Sequence, residues 1–339
     1  MGNEDRRHLG IKNKLLILFC TRFALSLQPF KRKDMDSAIV KGYTFGIIGS
    51  ACYGLNPLFA LPLYKAGMGP DSVLFFRYAF AIGMLAVLMK VRGCSFALKK
   101  QEVLPLMALG ILFSLSSLTL FESYNYLDAG IASTILFLYP LMVAVIMALF
   151  FHERAGMLTF FAIVLSFVGI SMLSKGVGGQ TINLFGVGLV VISSLTYAIY
   201  IVWVNRSNVK HMPTEKLTFY SILFGISIYV VRTGFLTELQ VPPTPLLWMD
   251  ALSLAFFPTM IALVFITFSI HYIGSTPASI LGALEPVTAL CCGVMVFGEQ
   301  LTSRNVLGIF LVLASVMLIV AARPLTQLVK RHIPHHHGR

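Results

Sequence analysis

The chain has 339 residues, of which 57% are hydrophobic and 12% charged, and its mean hydropathy is +0.82. Soluble domains average about 25% charged residues, so the composition excludes a water-soluble enzyme. It also excludes a disordered chain, which needs low hydrophobicity and high net charge. The apolar runs are long and unbroken, unlike the alternating segments of about ten residues in an outer-membrane barrel. An all-α polytopic membrane protein is therefore predicted.

The net charge of +12 lies mostly in the two tails of the chain. Residues 1–41 and 323–339 together carry +9, and the stretch between them only +3. Lys and Arg accumulate on the cytoplasmic side of membranes, so we expect both tails to lie inside and do not expect a nucleic-acid partner. None of the five cysteines shows metal-ligand spacing, and we expect neither a metal nor a cofactor.

Residues 1–40 form a basic N-terminal tail. Its apolar run at 15–27 is too short to span a membrane and is interrupted by Arg22. We expect the first 34 residues to be disordered or to result from a misassigned start, because Met35 stands just before the first full span.

Ten apolar segments follow, each close to the roughly 20 residues that a spanning helix needs. An even number of spans places both tails on one side, and the basic residues of the loops favour the cytoplasm for that side. We expect a multi-pass protein of the plasma membrane, a bacterial inner membrane, with both termini inside. The predicted spans are residues 42–63, 72–90, 103–125, 130–150, 156–174, 184–205, 216–236, 247–270, 277–297 and 303–322.

The second five spans repeat the first five. Because five is an odd number, the second copy enters the membrane from the opposite face, and inverted repeats are typical of secondary transporters with a central site. We expect a first repeat at 41–175, a second at 183–322 and a cytoplasmic tail at 323–339. At offsets of 144 to 146 residues, the matched pairs include Gly42 with Gly186, Ser50 with Ser194, Tyr53 with Tyr197, Tyr126 with Tyr272, Ala132 with Ala278, Pro140 with Pro286 and Glu153 with Glu299.

The repeated motifs also carry a family resemblance. In the first half they are Ala132-Ser133, Leu138-Tyr139-Pro140 and His152-Glu153, and in the second half Ala278-Ser279, Leu284-Glu285-Pro286 and Gly298-Glu299. With these motifs, the chain resembles the drug/metabolite transporter superfamily, and within it the ten-helix permeases built from two EamA domains. The resemblance covers about residues 42–322. It implies a cavity lined mainly by helices other than the fifth and tenth, with amino acids and other metabolites as substrates.

Three ionisable residues lie inside predicted spans, where a central charge costs at least about 2.5–3.5 kcal/mol. Arg77 could hold a substrate carboxylate bidentately, but we favour a structural role in which it snorkels to the outer headgroups or braces an internal carboxylate. Glu122, with Asn125 and its repeat counterpart His271 nearby, could couple transport to protons. Alternatively, Glu122 is solvated in an outer vestibule or paired with Arg77.

Glu285, the third ionisable residue, directly precedes Pro286 in the middle of the ninth span. Proline lacks an N–H and leaves the carbonyl four residues back without its helical partner, here that of Gly282. Tyr139 and Pro140 occupy the matched place in the fourth span. We expect these kinked helices to flank the pathway, with Glu285 binding a cationic group or structuring the cavity. Purely structural kinks are the alternative.

Aromatic and amide side chains on two matched helices complete the candidate site. Tyr53 and Asn56 lie on the first span, and Tyr197, Tyr200 and Trp203 on the sixth. A tyrosine joins an apolar ring to a polar tip, which suits neutral organic solutes. Anchoring at the lipid interface is the alternative for such residues.

Glu153 and Glu299 end the fourth and ninth spans. A carboxylate is favoured at the start of a helix by the helix dipole, so we interpret both as structural turn residues before the next helix.

Together these features predict a secondary active transporter of small organic metabolites, and not an enzyme. We expect an exporter of amino acids or related compounds that works by alternating access, as a monomer or homodimer in the lipid bilayer. A sensory or structural membrane component is the alternative, followed by an intramembrane enzyme.

Overall fold

The computed structural model describes residues 35–151, 157–173 and 183–332. In these ranges the regular structure is entirely helical. Seven helices are long and apolar enough to cross a membrane, and three shorter apolar ones, Phe160–Met172, Leu284–Phe297 and Ser303–Leu318, bring the number to ten. The prediction of an all-α polytopic membrane protein is confirmed. The first 34 residues and Glu153 lie outside the described residues.

Seven helices lie in the described residues up to 173. Two of the predicted spans are each divided by a two-residue break, at 54–55 and 137–138. Pro70 begins the third helix. Proline suits this position because the N–H of a first helical residue makes no hydrogen bond within the helix. The helices are α1 Met35–Tyr53, α2 Asn56–Lys65, α3 Pro70–Val91, α4 Lys100–Ser123, α5 Ala129–Leu136, α6 Tyr139–Phe151 and α7 Met157–Leu173.

Seven further helices follow residue 183. Asn183 caps the first of them, because its side chain accepts a hydrogen bond from the N–H of Phe185 at 3.0 Å. A π-helical segment, Phe256–Ile261, contains Pro258 and connects two of the helices. The helices are α8 Leu184–Arg206, α9 Thr214–Arg232, α10 Pro245–Ala255, α11 Ala262–Ile273, α12 Ser275–Leu281, α13 Leu284–Phe297 and α14 Ser303–His332.

The helices are interrupted just before both matched prolines, Pro140 and Pro286. The backbone carbonyls at these two breaks, however, both have hydrogen-bond partners. The carbonyl of Gly282 accepts a hydrogen bond from the N–H of Glu285 at 3.0 Å. The equivalent carbonyl of Leu136 accepts one from Ser194 Oγ at 3.1 Å. The prediction that Pro286 frees the Gly282 carbonyl is therefore wrong, because the break between α12 and α13 lets another N–H reach it.

Glycines bring the two halves of the chain into close contact at matched positions. A Cβ atom on Gly42 would lie 2.8 Å from the Cβ of Tyr272, and one on Gly186 would lie 2.8 Å from the Cβ of Tyr126. The same contact thus occurs twice, once between α1 and α11 and once between α8 and the turn after α4. Only small residues allow helices to approach this closely.

Helices α7 and α14 pack on each other. A Cβ atom on Gly169 would lie 2.9 Å from the carbonyl oxygen of Gly308. The opposite face of α7 carries exposed aromatic side chains, including Phe160 and Phe167. This pair therefore presents a surface suited to lipid.

Candidate functional site

A cavity of about 170 Å³ lies between the helices. Side chains of α1–α6, α8 and α11–α13 line it, and within the described ranges α7, α9, α10 and α14 do not. Pockets for drug-sized ligands are larger, roughly 300–1,000 Å³. The cavity therefore suits a small solute.

Several of the residues predicted from the sequence meet at this cavity. Tyr200 lies just behind the wall, stacked on the ring of Tyr197 with 5.9 Å between centroids. Pro140 and Pro286 follow cavity residues directly in the chain. The predicted residues that line the cavity are Tyr53, Asn56, Arg77, Tyr139, Tyr197 and Glu285.

Other predicted residues lie elsewhere. Glu122 is half-buried and Asn125 exposed, and neither lines the cavity. Trp203 is 43% exposed. The side chain of His271 lies outside the part of the chain that the structure describes.

Arg77 is buried in the cavity wall, with only 4% of the residue exposed. Its Nε donates to Thr259 Oγ1 at 3.1 Å, and its guanidinium carbon lies 5.3 Å from the centroid of the Phe121 ring, a cation–π contact. Among the described residues, neither terminal NH₂ group has a hydrogen-bond partner and no carboxylate forms an ion pair with Arg77. The side chain is thus buried without an ion pair, and its two terminal NH₂ groups stay available to an anion.

Glu285 lies on the wall contributed by α13. Its backbone is held by the break that follows α1, because Gly54 packs directly against the carbonyl oxygen of Glu285. Within the described ranges, its carboxylate accepts no hydrogen bond and forms no ion pair. One cavity thus contains a basic and an acidic side chain that form no ion pair with each other.

Aromatic rings form much of the remaining wall. The rings of Tyr139 and Tyr197 meet edge to face with 4.8 Å between centroids, and Phe113 lies 6.3 Å from Tyr197. Such rings provide an apolar surface with hydroxyl groups at its edge. The wall can therefore hold the carbon skeleton of a small organic solute.

The contribution of α4 to the cavity wall was not predicted from the sequence. Five of its residues line the cavity at positions i, i+3, i+4, i+7 and i+8, which is the spacing of one helical face. Their small and aromatic side chains in an apolar helix gave no ionic signal, but this spacing could have identified them. They are Phe113, Ser116, Ser117, Leu120 and Phe121.

Two serines attach this face of α4 to α8. Ser116 Oγ donates to the carbonyl of Ser193 at 2.9 Å, and Ser193 Oγ donates to the carbonyl of Ser116 at 2.6 Å. Both residues are buried. This reciprocal pair positions Tyr197, one turn further along α8, against α4.

Two stretches of the chain, residues 40–175 and 184–321, match the model of the EamA-like transporter family. They cover well over half of the sequence. The chain belongs to the EamA-like transporter family. The resemblance inferred from the motifs is confirmed.

Relatives of this chain come from archaea and bacteria. An "uncharacterized transporter" of Archaeoglobus fulgidus is 27% identical over 76% of this chain and 89% of its own length. The "uncharacterized inner membrane transporter YicL" of Salmonella typhimurium is 26% identical over 85% of this chain and 95% of its own. A protein of known crystal structure has a TM-score of 0.59 at 17% identity, covering 85% of this chain and 98% of its own, which shows a shared fold.

Glu299 connects the two EamA repeats. Its carboxylate accepts hydrogen bonds from the N–H groups of Ala129 at 2.9 Å and Gly130 at 3.4 Å. It therefore caps α5, whereas we expected it at the start of the next helix, α14. Burial, followed by the nearby Asp128 carboxylate, raises the pKa of Glu299, and the two N–H groups oppose this shift.

Replacing Glu299 by Gln is expected to destabilise the protein by about 1–3 kcal/mol. A Gln side chain has a single acceptor oxygen, so one buried N–H of α5 loses its partner. Thermal unfolding of the purified EamA protein in detergent measures the effect. Glu238→Gln is the matched control, because Glu238 is exposed. Equal melting temperatures for the two variants would contradict the role of the cap.

Proposed function

We propose that this EamA-family protein is a secondary active transporter that exports amino acids or closely related zwitterions. The observation that supports this most directly is the pair of mutually unpaired charges, Arg77 and Glu285, in one cavity. A guanidinium group binds a carboxylate through two parallel hydrogen bonds, and a carboxylate accepts bonds from an ammonium group. A solute that carries both groups compensates both buried charges, which are otherwise costly.

The aromatic wall supports the same proposal. In our interpretation the polar ends of the solute bind Arg77 and Glu285, and its side chain packs against Tyr139, Tyr197 and Phe113. The cavity volume of about 170 Å³ favours small amino acids over peptides.

Transport is proposed to proceed by alternating access between two EamA repeats of opposite orientation, with both termini in the cytoplasm and the chain in the inner membrane. The matched contacts of Gly42 with Tyr272 and of Gly186 with Tyr126 support this arrangement, because equivalent helices meet in equivalent ways. Two similar units can then close the pathway at either end with similar free energy.

A flux experiment tests the proposed function. The full chain is reconstituted in liposomes, and exchange of labelled L-alanine is compared with that of N-acetylalanine and ethylamine, each of which lacks one of the two charges. We expect exchange of alanine at least about 30-fold faster than of either analogue, because a buried charge without its partner loses about 2 kcal/mol or more. Equal rates for the three compounds would contradict the proposal. So would the absence of flux for every member of a wider panel of neutral amino acids.

The same liposomes test proton coupling. Flux is measured with and without a pH gradient in the parent protein and in Glu122→Gln. If Glu122 takes part, the gradient accelerates flux only in the parent, whereas an unchanged response removes Glu122 from the mechanism.

A further inference from the structure

Two matched serines make different hydrogen bonds in the two halves of the protein. Ser194 on α8 donates to the carbonyl of Leu136 at 3.1 Å. At the repeat offsets, Ser50 and Gly282 are the counterparts of this pair. Ser50 is 2% exposed, and its hydroxyl has no hydrogen-bond partner among the described residues. The carbonyl of Gly282 instead accepts from the N–H of Glu285 at 3.0 Å.

Ser50 nevertheless lies on the part of α1 that packs against the residues around Gly282. Gly46, one turn before it on α1, packs against the side chain of Leu281, and Gly54, one turn after it, packs against the backbone of Glu285. Ser50 therefore faces the break between α12 and α13. Ser50 and Gly282 also line the same cavity. Donor and acceptor thus line one cavity, and no hydrogen bond joins them.

This difference between matched positions has an energetic consequence. A buried hydroxyl without a partner is unfavourable, and buried polar groups in proteins are nearly always paired. The observed conformation bears this cost at Ser50 and avoids it at Ser194. A conformation in which the two halves exchange their arrangements bears the same cost at Ser194 and avoids it at Ser50. The cost of one unpaired serine hydroxyl is therefore the same in both conformations and favours neither.

We propose that Ser50 and Ser194 are positioning residues that exchange their bonding during transport. In the opposite conformation Ser50 donates to the carbonyl of Gly282, and Ser194 releases the carbonyl of Leu136. This inference rests on the alternating access proposed above.

Each change of hydrogen bonding takes place close to a side chain that lines the cavity. Gly282 lies three residues before Glu285, and Leu136 lies three residues before Tyr139. Both carbonyls lie next to the breaks in their helices, where the backbone can change direction. A serine that binds or releases such a carbonyl thereby changes the position of the following cavity residue.

Sided labelling of a cavity cysteine tests the inference. The reporter is Leu120→Cys in a full-length chain whose native cysteines are replaced by alanine, in membrane vesicles of both orientations. A charged, membrane-impermeant thiol reagent is applied from each side, and the ratio of the two labelling rates reports the balance between conformations. We expect Ser50→Ala and Ser194→Ala to shift this ratio in opposite directions, each by roughly two- to tenfold, the effect of one hydrogen bond.

Two further variants sharpen the result. The double alanine variant is expected to return the ratio close to that of the parent, because the two shifts cancel. Ser194→Thr keeps a hydroxyl and is expected to restore the parental ratio, which a general packing defect would not allow.

The outcomes separate this inference from the proposed function. If the parent is labelled from both sides, but the two alanine variants shift the ratio in the same direction or not at all, the inference is wrong and the proposed function stands. If the parent is labelled from one side only and shows no flux, alternating access fails and the inference fails with it.

Discussion

Glu285→Gln and Arg77→Gln are each expected to abolish transport of zwitterionic solutes while the protein accumulates normally in the membrane. Gln keeps the shape of Glu and is a shorter, polar replacement for Arg, and both substitutions remove the charge of the side chain. Loss of one partner from a desolvated charged contact costs about 2–5 kcal/mol, which lowers solute affinity by about 30-fold or more. Solute binding to the purified variants and flux in liposomes measure the two consequences.

Matched controls exist on the same chain. Arg232 forms an ion pair with Asp71 at 2.6 Å, and its side chain is half-exposed. Arg232→Gln is therefore expected to retain flux, as is Glu238→Gln. Parental flux in Glu285→Gln, or an equal loss in the controls, would show that the charges of the cavity do not select the solute.

Gly54→Ala is expected to destabilise the protein and to abolish transport as well. The added Cβ would overlap the carbonyl oxygen of Glu285 and lie 2.7 Å from the Cβ of Thr288. Because a backbone atom cannot yield as a flexible side chain does, α13 must shift. Overpacking of this kind costs about 1–3 kcal/mol, and the shift displaces Glu285.

Gly83→Ala provides the comparison for this substitution. A Cβ atom on Gly83 would meet no described atom within 4 Å, and alanine is favoured over glycine in a helix by about 1 kcal/mol. Melting in detergent is expected to fall for Gly54→Ala and to stay level or rise for Gly83→Ala. A Gly54→Ala protein that melts like the parent would refute the tight packing of α1 on α13.

The fold was largely predictable because a membrane imposes strong rules on sequence. Apolar length located the spans, and two prolines, Pro140 and Pro286, indicated where helices would break. The partners of the backbone groups at those breaks could not be predicted. Ser194 binds the Leu136 carbonyl from another helix, and Glu299 caps a helix in the other repeat. Such bonds depend on tertiary packing, which local rules do not contain.

Part of the candidate site was predictable because an ionisable residue is costly in lipid. Arg77 and Glu285 stood out for that reason, and both line the cavity. Glu122 met the same criterion but lies off the wall. It follows Phe121 in α4, and successive residues of a helix point about 100° apart, so the face that includes Phe121 and Ser117 turns Glu122 away. Hydropathy measures how apolar a segment is and not how its helix is rotated.

The π-helical segment Phe256–Ile261 has a consequence for the guanidinium of Arg77. Thr259, whose hydroxyl oxygen accepts a hydrogen bond from Arg77 Nε, belongs to this segment. A π turn contains more residues than an α turn. The direction in which the Thr259 side chain points therefore depends on this additional residue. Deleting one residue there would rewind the stretch as ordinary helix, swing the threonine hydroxyl aside and leave the guanidinium free to rotate. The orientation of the Arg77 guanidinium therefore depends on the winding of a helical segment that is far away in the sequence but in direct contact with it.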